Sequence, residues 1–298
     1  VNTLVTWRQL ALPLFAPVSF RTDAATKTTP VQYLGGIEMQ PSSRTLRPLS
    51  SRAASVLLVS WCCLLINSQA QTKYSKVLIK DTVSAGHKAE LIDKLRTITG
   101  FSKLTFSENG SLELDSLVVN GSERARELLK SAITGPAIIV LEDASGRADV
   151  AFCRVVPARV KGTNKQSLPA YVVLVDFKDF RQLTGDAEAL AAFDVGWGVL
   201  HELDHIISDS EDARKPGEIG KCEDHINAMR LELGLPSRSE YFFTPVSSRS
   251  DANFAIRYVR LPFESRGAGY HETKRYWLIW DAITVGGLNI DTQRALVR

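Results

Sequence analysis

The sequence has little surplus charge, few cysteines and histidines, and no apolar run long enough to cross a bilayer, and each shortage closes off a class of function. The formal net charge is +3. The excess sits at the N-terminal end, where residues 1–70 hold five Arg and one Lys against Asp23 and Glu38, leaving residues 71–298 at −1. That balance points to no nucleic acid and no acidic membrane surface as partner. The longest apolar run, Ala53 to Ile66, falls short of the roughly 20 residues a spanning helix needs. From Lys76 onward there is no internal repeat and no low-complexity tract, so solenoid and disordered classes drop out.

What surrounds the apolar run gives it a role. Arg47 and Arg52 stand before it, and Asn67-Ser68-Gln69-Ala70 follows with small residues at Ser68 and Ala70, the layout of a signal peptide cleaved after Ala70. The working part is therefore expected outside the cytoplasm, secreted or periplasmic, without stable membrane insertion after cleavage. Met39 is one of two methionines, and translation is expected to start there. The expected organisation is a non-structural N-terminal extension over 1–46, a signal peptide over 47–70 and one domain over 71–298. Cys62 and Cys63 leave with the signal peptide, while Cys153 and Cys222 stay in a compartment that permits a disulfide, as a bridge or as two free buried thiols.

Periodicities of both kinds alternate along the domain, which predicts an α+β fold with a small mixed sheet packed on a long helix. Val77 to Lys80 reads as a strand and Ala85 to Thr99 as a helix closed by Gly100. Asn109-Gly110 marks a hairpin between Lys103–Ser107 and Ser111–Leu117. Asn120 with Glu123 reads as a capping box for a helix over Gly121 to Thr134. Ala137–Glu142, Val150–Val156 and Ala170–Phe177 form the central sheet, the last with an edge on which an extended peptide could dock. A long helix is expected from Asp186 to Ser208, a polar loop from Asp209 to Pro216, and a second helix from Gly217 to Leu233, stopped by Gly234 and Pro236. Phe254–Leu261 and Lys274–Ile279 are the last strands.

Chemistry concentrates in the long helix. His201-Glu202-Leu203-Asp204-His205 is H-E-x-x-H, and residues four apart lie one turn above each other, so both imidazoles can reach one metal. Glu202 between them is free to act on water. Only five histidines occur, and three of them, His201, His205 and His225, fall within 25 residues. This pattern predicts a zinc (Zn2+) site of the zincin type in which zinc activates water, Glu202 is the general base, and the substrate is a protein or peptide.

A catalytic zinc takes three protein ligands. On the second helix Glu223 and His225 flank the apolar face of Ile219, Cys222, Ile226, Met229 and Leu233, while Asp224 points away. Glu223, 18 positions after His205, would complete a His, His, Glu set, with His225 as the alternative. Another zincin class takes its third ligand six residues after the second histidine, here Glu211, but needs a glycine where Ser208 stands. The loop holding Asp209 and Glu211 therefore reads as a solvated turn. Asp194, on the histidine face two turns before His201, is expected either to orient an imidazole or equally to cap the helix or pair on the surface. Tyr241, Tyr270, His271 and Tyr276 are candidates for stabilising an oxyanion.

The stretch Glu223 to Tyr241, read after H-E-x-x-H, resembles the C-terminal peptidase-like domains of bacterial RHS-repeat proteins and related effector peptidases. The matching residues are His201, Glu202, His205, Glu223, Arg230, Gly234, Leu235, Pro236, Arg238 and Tyr241. The resemblance implies a gluzincin-like zinc metallopeptidase with Glu223 as third ligand. It departs from that pattern in Asp224 and His225, where Asn is usual after the Glu, in Asp204, and in the lack of preceding repeats. Two other functions fit similar residues: a non-catalytic, metal-stabilised extracytoplasmic binding protein, and a zinc hydrolase of a non-peptide amide.

Overall fold

A computed structural model of the chain describes residues 75–161, 167–246, 258–266 and 272–286. The N-terminal extension, the signal peptide and its cleavage site, Met39, Tyr270 and His271 lie outside the described residues. No helix among the described residues is long and apolar enough to cross a membrane.

The described chain is α+β. Strand β1 (Val77–Ile79) leads to helix α1 (Ala85–Thr99), the antiparallel pair β2 (Leu104–Phe106) and β3 (Leu112–Leu114), and helix α2 (Glu123–Thr134). Strands β4 (Ile138–Asp143), β5 (Cys153–Lys161) and β6 (Ser167–Val175) follow. Short helices α3 (Phe177–Phe180) and α4 (Ala187–Ala191) flank the two-residue strand β7 (Thr184–Gly185). They lead to α5 (Val195–Ser208), which carries both histidines, and α6 (Lys221–Glu232). Two short strands, β8 (Ser237–Arg238) and β9 (Thr244–Pro245), precede the antiparallel pair β10 (Tyr258–Arg266) and β11 (Thr273–Asp281).

Helix α1 begins and ends where its sequence predicts. The Ser84 hydroxyl accepts the His87 N–H at 3.1 Å, and Gly100 takes the left-handed conformation (φ 76°) that ends helices. Helix α2 differs at its start: Asn120 is itself left-handed (φ 59°), whereas an N-cap needs extended backbone. Ser122 caps it instead, accepting from the Ala125 N–H at 3.1 Å and donating to Glu232 on α6 at 2.7 Å.

Four strands form the first sheet in the order β1-β4-β6-β5, parallel except for β5 at the edge. The expectation that the segment from Ala170 offers a free edge is thereby corrected. β6 is paired on both sides, and the open edge belongs to β5. Along β5 the Val155 N–H points away from β6, and Pro157, two residues on, falls on the same outward side, where the ladder needs no N–H.

Helix α5 packs against β5, β6, α1, α2 and α6. Two internal glycines make the approach close. A Cβ on Gly196 would lie 2.9 Å from Ile98 and Lys94 side-chain atoms, and one on Gly198 2.7 Å from the Phe180 ring. Glycine costs a helix roughly 0.5–1 kcal/mol relative to Ala, less than the roughly 1.5–3 kcal/mol from burying each large apolar side chain. Trp197, Leu200 and Leu203 are all fully buried here. The expected single helix from Asp186 is broken at Ala192–Asp194. Asp194 caps α5, accepting from Gly196 N–H at 2.9 Å and pairing with Lys94 at 3.3 Å, so of its two expected roles it takes capping and pairing and not the orienting of an imidazole.

The second sheet runs β7-β11-β10-β8, with β9 also on β10. Its inward residues are Val259, Leu261, Phe263, Leu278 and Trp280; Trp280 meets Phe152 and Phe263 meets Phe193 edge to face. Phe152, at the entry to β5, is left-handed (φ 61°), which is costly for a bulky residue. Asp179 holds it there, accepting from Phe152 N–H at 3.1 Å and from Gly286 N–H at 3.1 Å.

Burial, aided by the neighbouring Asp176 carboxylate, pushes the Asp179 carboxyl up to about 6 from an ordinary 3.8. The folded chain thus holds this proton more tightly than the unfolded chain. Its contribution to stability is complete below about pH 4 and is lost as pH rises through 6, by about 3 kcal/mol at most. Urea unfolding at pH 4, 5 and 6 is expected to show a declining stability component that Asp179→Asn removes. An unchanged slope in the variant would contradict the assignment.

Candidate metal centre

On α5, His201 and His205 lie one turn apart, edge to face, with ring centroids 4.8 Å from each other. Their Nε2 atoms are 3.2 Å apart, and Asp212 Oδ1 lies 3.1 Å from the first and 3.3 Å from the second. Donors about 2.0–2.1 Å from a tetrahedral zinc stand about 3.3 Å from each other, so this triangle has the edge length of one face of such a site. The other ring nitrogens are held from behind. His205 Nδ1 donates to the Ser210 carbonyl at 2.8 Å, and His201 Nδ1 faces Glu223 Oε2 at 3.5 Å. A carbonyl can only accept, so His205 Nδ1 carries hydrogen and Nε2 is the atom left for a metal.

The third corner comes from the loop after α5. Ser208 is not the turning residue. The chain reverses one position later, at Asp209, which adopts the left-handed conformation (φ 48°, ψ 38°) that a short polar side chain tolerates. The delay of one residue brings in Asp212, seven positions after His205, and leaves Glu211 outside, paired with Arg214 on the surface. Asp212 bridges to Gly220, and the Cys222 N–H donates to the Glu211 carbonyl at 3.2 Å. A Cβ on Gly220 would sit 2.3 Å from Ala213 N, and its φ is 85°, so only glycine fits the strap. Asp204 fastens the turn, accepting from Ser210 at 2.6 Å, Ser208 at 2.8 Å and His225 at 2.9 Å.

Glu223 differs from its expected role. It is completely buried, with Oε1 bound by Arg230 and Oε2 by Arg238 at 3.0 Å, and it stands behind His201 rather than among the converging donors. Burial alone would raise its carboxyl, but the two guanidiniums hold it well below the carboxylate range. Glu223, Asn227 and Arg230 recur at spacings of four and three along one face of α6. Asn227 accepts from Arg238 N–H and Arg230, and Arg238 also donates to the Tyr241 carbonyl. The Tyr241 ring lies against His201 at 6.5 Å. Of the residues that carry the sequence resemblance beyond H-E-x-x-H, Glu223, Arg230, Arg238 and Tyr241 therefore build a buried frame around one imidazole.

His225, the alternative ligand, is turned to Asp204, and Asp224 is exposed. Tyr276 lies on β11, its hydroxyl 3.5 Å from Ser265, so of the described oxyanion candidates only Tyr241 is at this centre. Glu202 is nearly buried, its Oε2 accepting the Val155 N–H of β5 at 2.9 Å. Burial raises its carboxyl above the ordinary glutamate range, partly offset by His201 and His205. Burial would also raise Asp212, but the two imidazoles hold it well below the usual range. Cys153 and Cys222 are both free thiols.

One donor atom from each of His201, His205, Asp212 and Cys222 lies within 4.8 Å of all the others, so the chain has a group able to hold a metal ion. Asp212 and Cys222 were not legible as members of it. The one available signal was the run of Asp, Ser and Glu directly after the second histidine, read as a solvated turn because no glycine introduces it. No family model, no curated protein and no solved structure matches the chain.

Proposed function

We propose that this chain is an extracytoplasmic zinc peptidase of zincin type, with His201, His205 and Asp212 holding the metal and Glu202 as general base. The observation that carries the reading is the triangle of two Nε2 atoms and Asp212 Oδ1 with edges of 3.1–3.3 Å, backed by partners on both Nδ1 atoms. Two imidazoles and one carboxylate are a donor set that suits zinc and leaves a coordination position open. Bound there, zinc would act as a Lewis acid that acidifies water and polarises a carbonyl.

The chain's own residues supply the rest. Glu202, raised by burial and anchored by Val155, is suited to take a proton from the attacking water and return it to the leaving nitrogen. The same Val155 belongs to β5, the edge strand of the first sheet, so the general base is held by the sheet as well as by its own helix. Arg47 to Ala70 supports export. A second reading, a non-catalytic metal-stabilised binding protein, draws on Cys222, because four protein donors close a zinc site.

Glu202→Gln decides between them. In a peptide-library cleavage assay the variant is expected to lose roughly 10²–10⁴ of the rate, as removal of a general base does, while its metal content stays that of the parent. A parent that holds zinc yet cleaves no peptide would favour the binding protein, or a non-peptide amide as substrate.

A further inference from the structure

We infer that Asn109 and Asn120 are N-glycosylation sites, and that the glycan on Asn120 covers an exposed apolar run. The inference rests on the export reading and takes secretion from a eukaryotic cell, rather than the periplasm, as the route. Asn109-Gly110-Ser111 and Asn120-Gly121-Ser122 are the two Asn-x-Ser triplets of the chain, the acceptor pattern of secreted proteins. Asn-Gly pairs also serve plain turns, so the side chains decide. Asn109 is exposed between β2 and β3, and its Oδ1 accepts from the Ser111 N–H at 3.1 Å and the Ser107 hydroxyl at 2.6 Å. A backbone N–H can only donate, so the oxygen is the engaged atom and Nδ2 is left over. Asn120 is exposed as well, in its left-handed conformation before α2. Among the described residues no acceptor holds either amide nitrogen.

The three residues before Asn120 give its glycan a task. Leu117 is 62 % exposed, Val118 37 % and Val119 60 %. Single apolar residues are normal on a surface, but three in succession call for a cover. The run is also held in place: the Ser102 N–H donates to the Leu117 carbonyl at 2.9 Å, Val118 bridges to Phe101, and the Val119 N–H donates to the Gly100 carbonyl at 2.7 Å. Its side chains cannot be turned inward without breaking those bonds. A bulky, hydrated oligosaccharide on the very next residue screens them from other chains.

The serines fix the order of events. Ser111 and Ser122 are both buried, and the Ser122 hydroxyl is committed to capping α2 and to Glu232. Since the serine is part of the acceptor pattern, transfer must precede folding. The donor is an oligosaccharide carried on a lipid diphosphate. The bond from its anomeric carbon to the diphosphate oxygen breaks, the carbon–nitrogen bond to Nδ2 forms, Nδ2 gives up one proton and the lipid diphosphate leaves. Folding then buries the serine and keeps the modified nitrogen outside.

Mass spectrometry of the full chain, expressed in eukaryotic cells and collected from the medium, tests this. Peptide N-glycosidase is expected to remove two glycans and to leave aspartate at positions 109 and 120, while Asn109→Gln and Asn120→Gln should each carry one glycan fewer. Binding of an apolar fluorescent dye to the folded chain should rise after enzymatic removal and in Asn120→Gln, but not in Asn109→Gln. Chain in the medium with neither site occupied overturns the inference and leaves the export reading standing; chain kept in the cytosol overturns both. Occupancy of one site alone overturns the other assignment. Removal of the Asn120 glycan with no rise in dye binding overturns the cover over Leu117 to Val119. If Asn120→Gln does not fold, the parent still decides, through its occupancy and its dye binding before and after enzymatic removal.

Discussion

Replacing Asp212 with Ala is expected to strip the chain of its metal, whereas replacing Glu223 with Gln is not. The zinc affinity of small four-ligand sites, roughly 10–16 kcal/mol, averages about 3 kcal/mol per ligand, and 1.4 kcal/mol is a tenfold change. Asp212→Ala should therefore weaken binding on the order of a hundred- to a thousandfold. Glu223→Gln keeps an acceptor toward His201 and removes only charge from a supporting position, so its loss should fall near the lower end of the roughly 10–100-fold typical of such partners. Competition titrations with a chromophoric chelator give both numbers. If the Glu223 variant lost as much as the Asp212 variant, the carboxylate behind His201 would be the ligand and Asp212 its neighbour.

Protons should compete with the metal in the same titrations. In the metal-free chain burial opposes charge on His205, but hydrogen bonds with Asp212 and Cys222 outweigh it and carry the group up to about 11; His201 is likewise raised. A ligand histidine must be neutral, so apparent affinity should rise with pH through the neutral range and protons should be released on binding.

Glu223→Ala is expected to be the most destabilising single change in the domain. It would leave Arg230, 1 % exposed, and Arg238, 3 % exposed, without their common counter-ion. Stranding a buried charge in this way costs roughly 3–5 kcal/mol, a large part of the 5–15 kcal/mol typical of a whole domain. The exposed pair Lys130 and Glu127 on α2 offers the contrast: Glu127→Ala should change stability by less than about 1 kcal/mol. Denaturant unfolding in EDTA separates framework from ligand. A lower midpoint for Glu223→Ala than for the parent, both metal-free, is the expected result; equal midpoints would mean that Glu223 matters only through the metal.

The elements written in local periodicity were readable in advance. Ser84 and Gly100 bracket α1 because capping chemistry is local, and the β2–β3 turn follows from Asn109-Gly110 for the same reason. The helix over residues 186–208 read as continuous because its apolar spacing continues through Phe193. Only Asp194, drawn into capping α5 and pairing with Lys94 of α1, reveals the break. Which strand has the free edge is decided by where the chain places β5 and β6, although β5 carries Arg154, Arg159 and Lys161 where β6 has no charge, a pattern common on edge strands.

At the centre itself, the sequence alone determined that two imidazoles would share a helix face with a glutamate between them, because a spacing of four on an α-helix admits no other arrangement. It also marked Glu223, Arg230, Arg238 and Tyr241 as a set. Tertiary structure decided what that set does. Arg230 shares a helix face with Glu223, but Arg238 reaches it only after α6 and β8 have folded together, and once bound to both guanidiniums the carboxylate supports His201 from behind. The third donor depended on a single backbone choice, the left-handed turn at Asp209, which moves the converging carboxylate from position 211 to 212. No local propensity dictates that choice; it is held by Asp204, by the bridge to Gly220 and by the Cys222 amide, contacts between residues that only the assembled fold brings together.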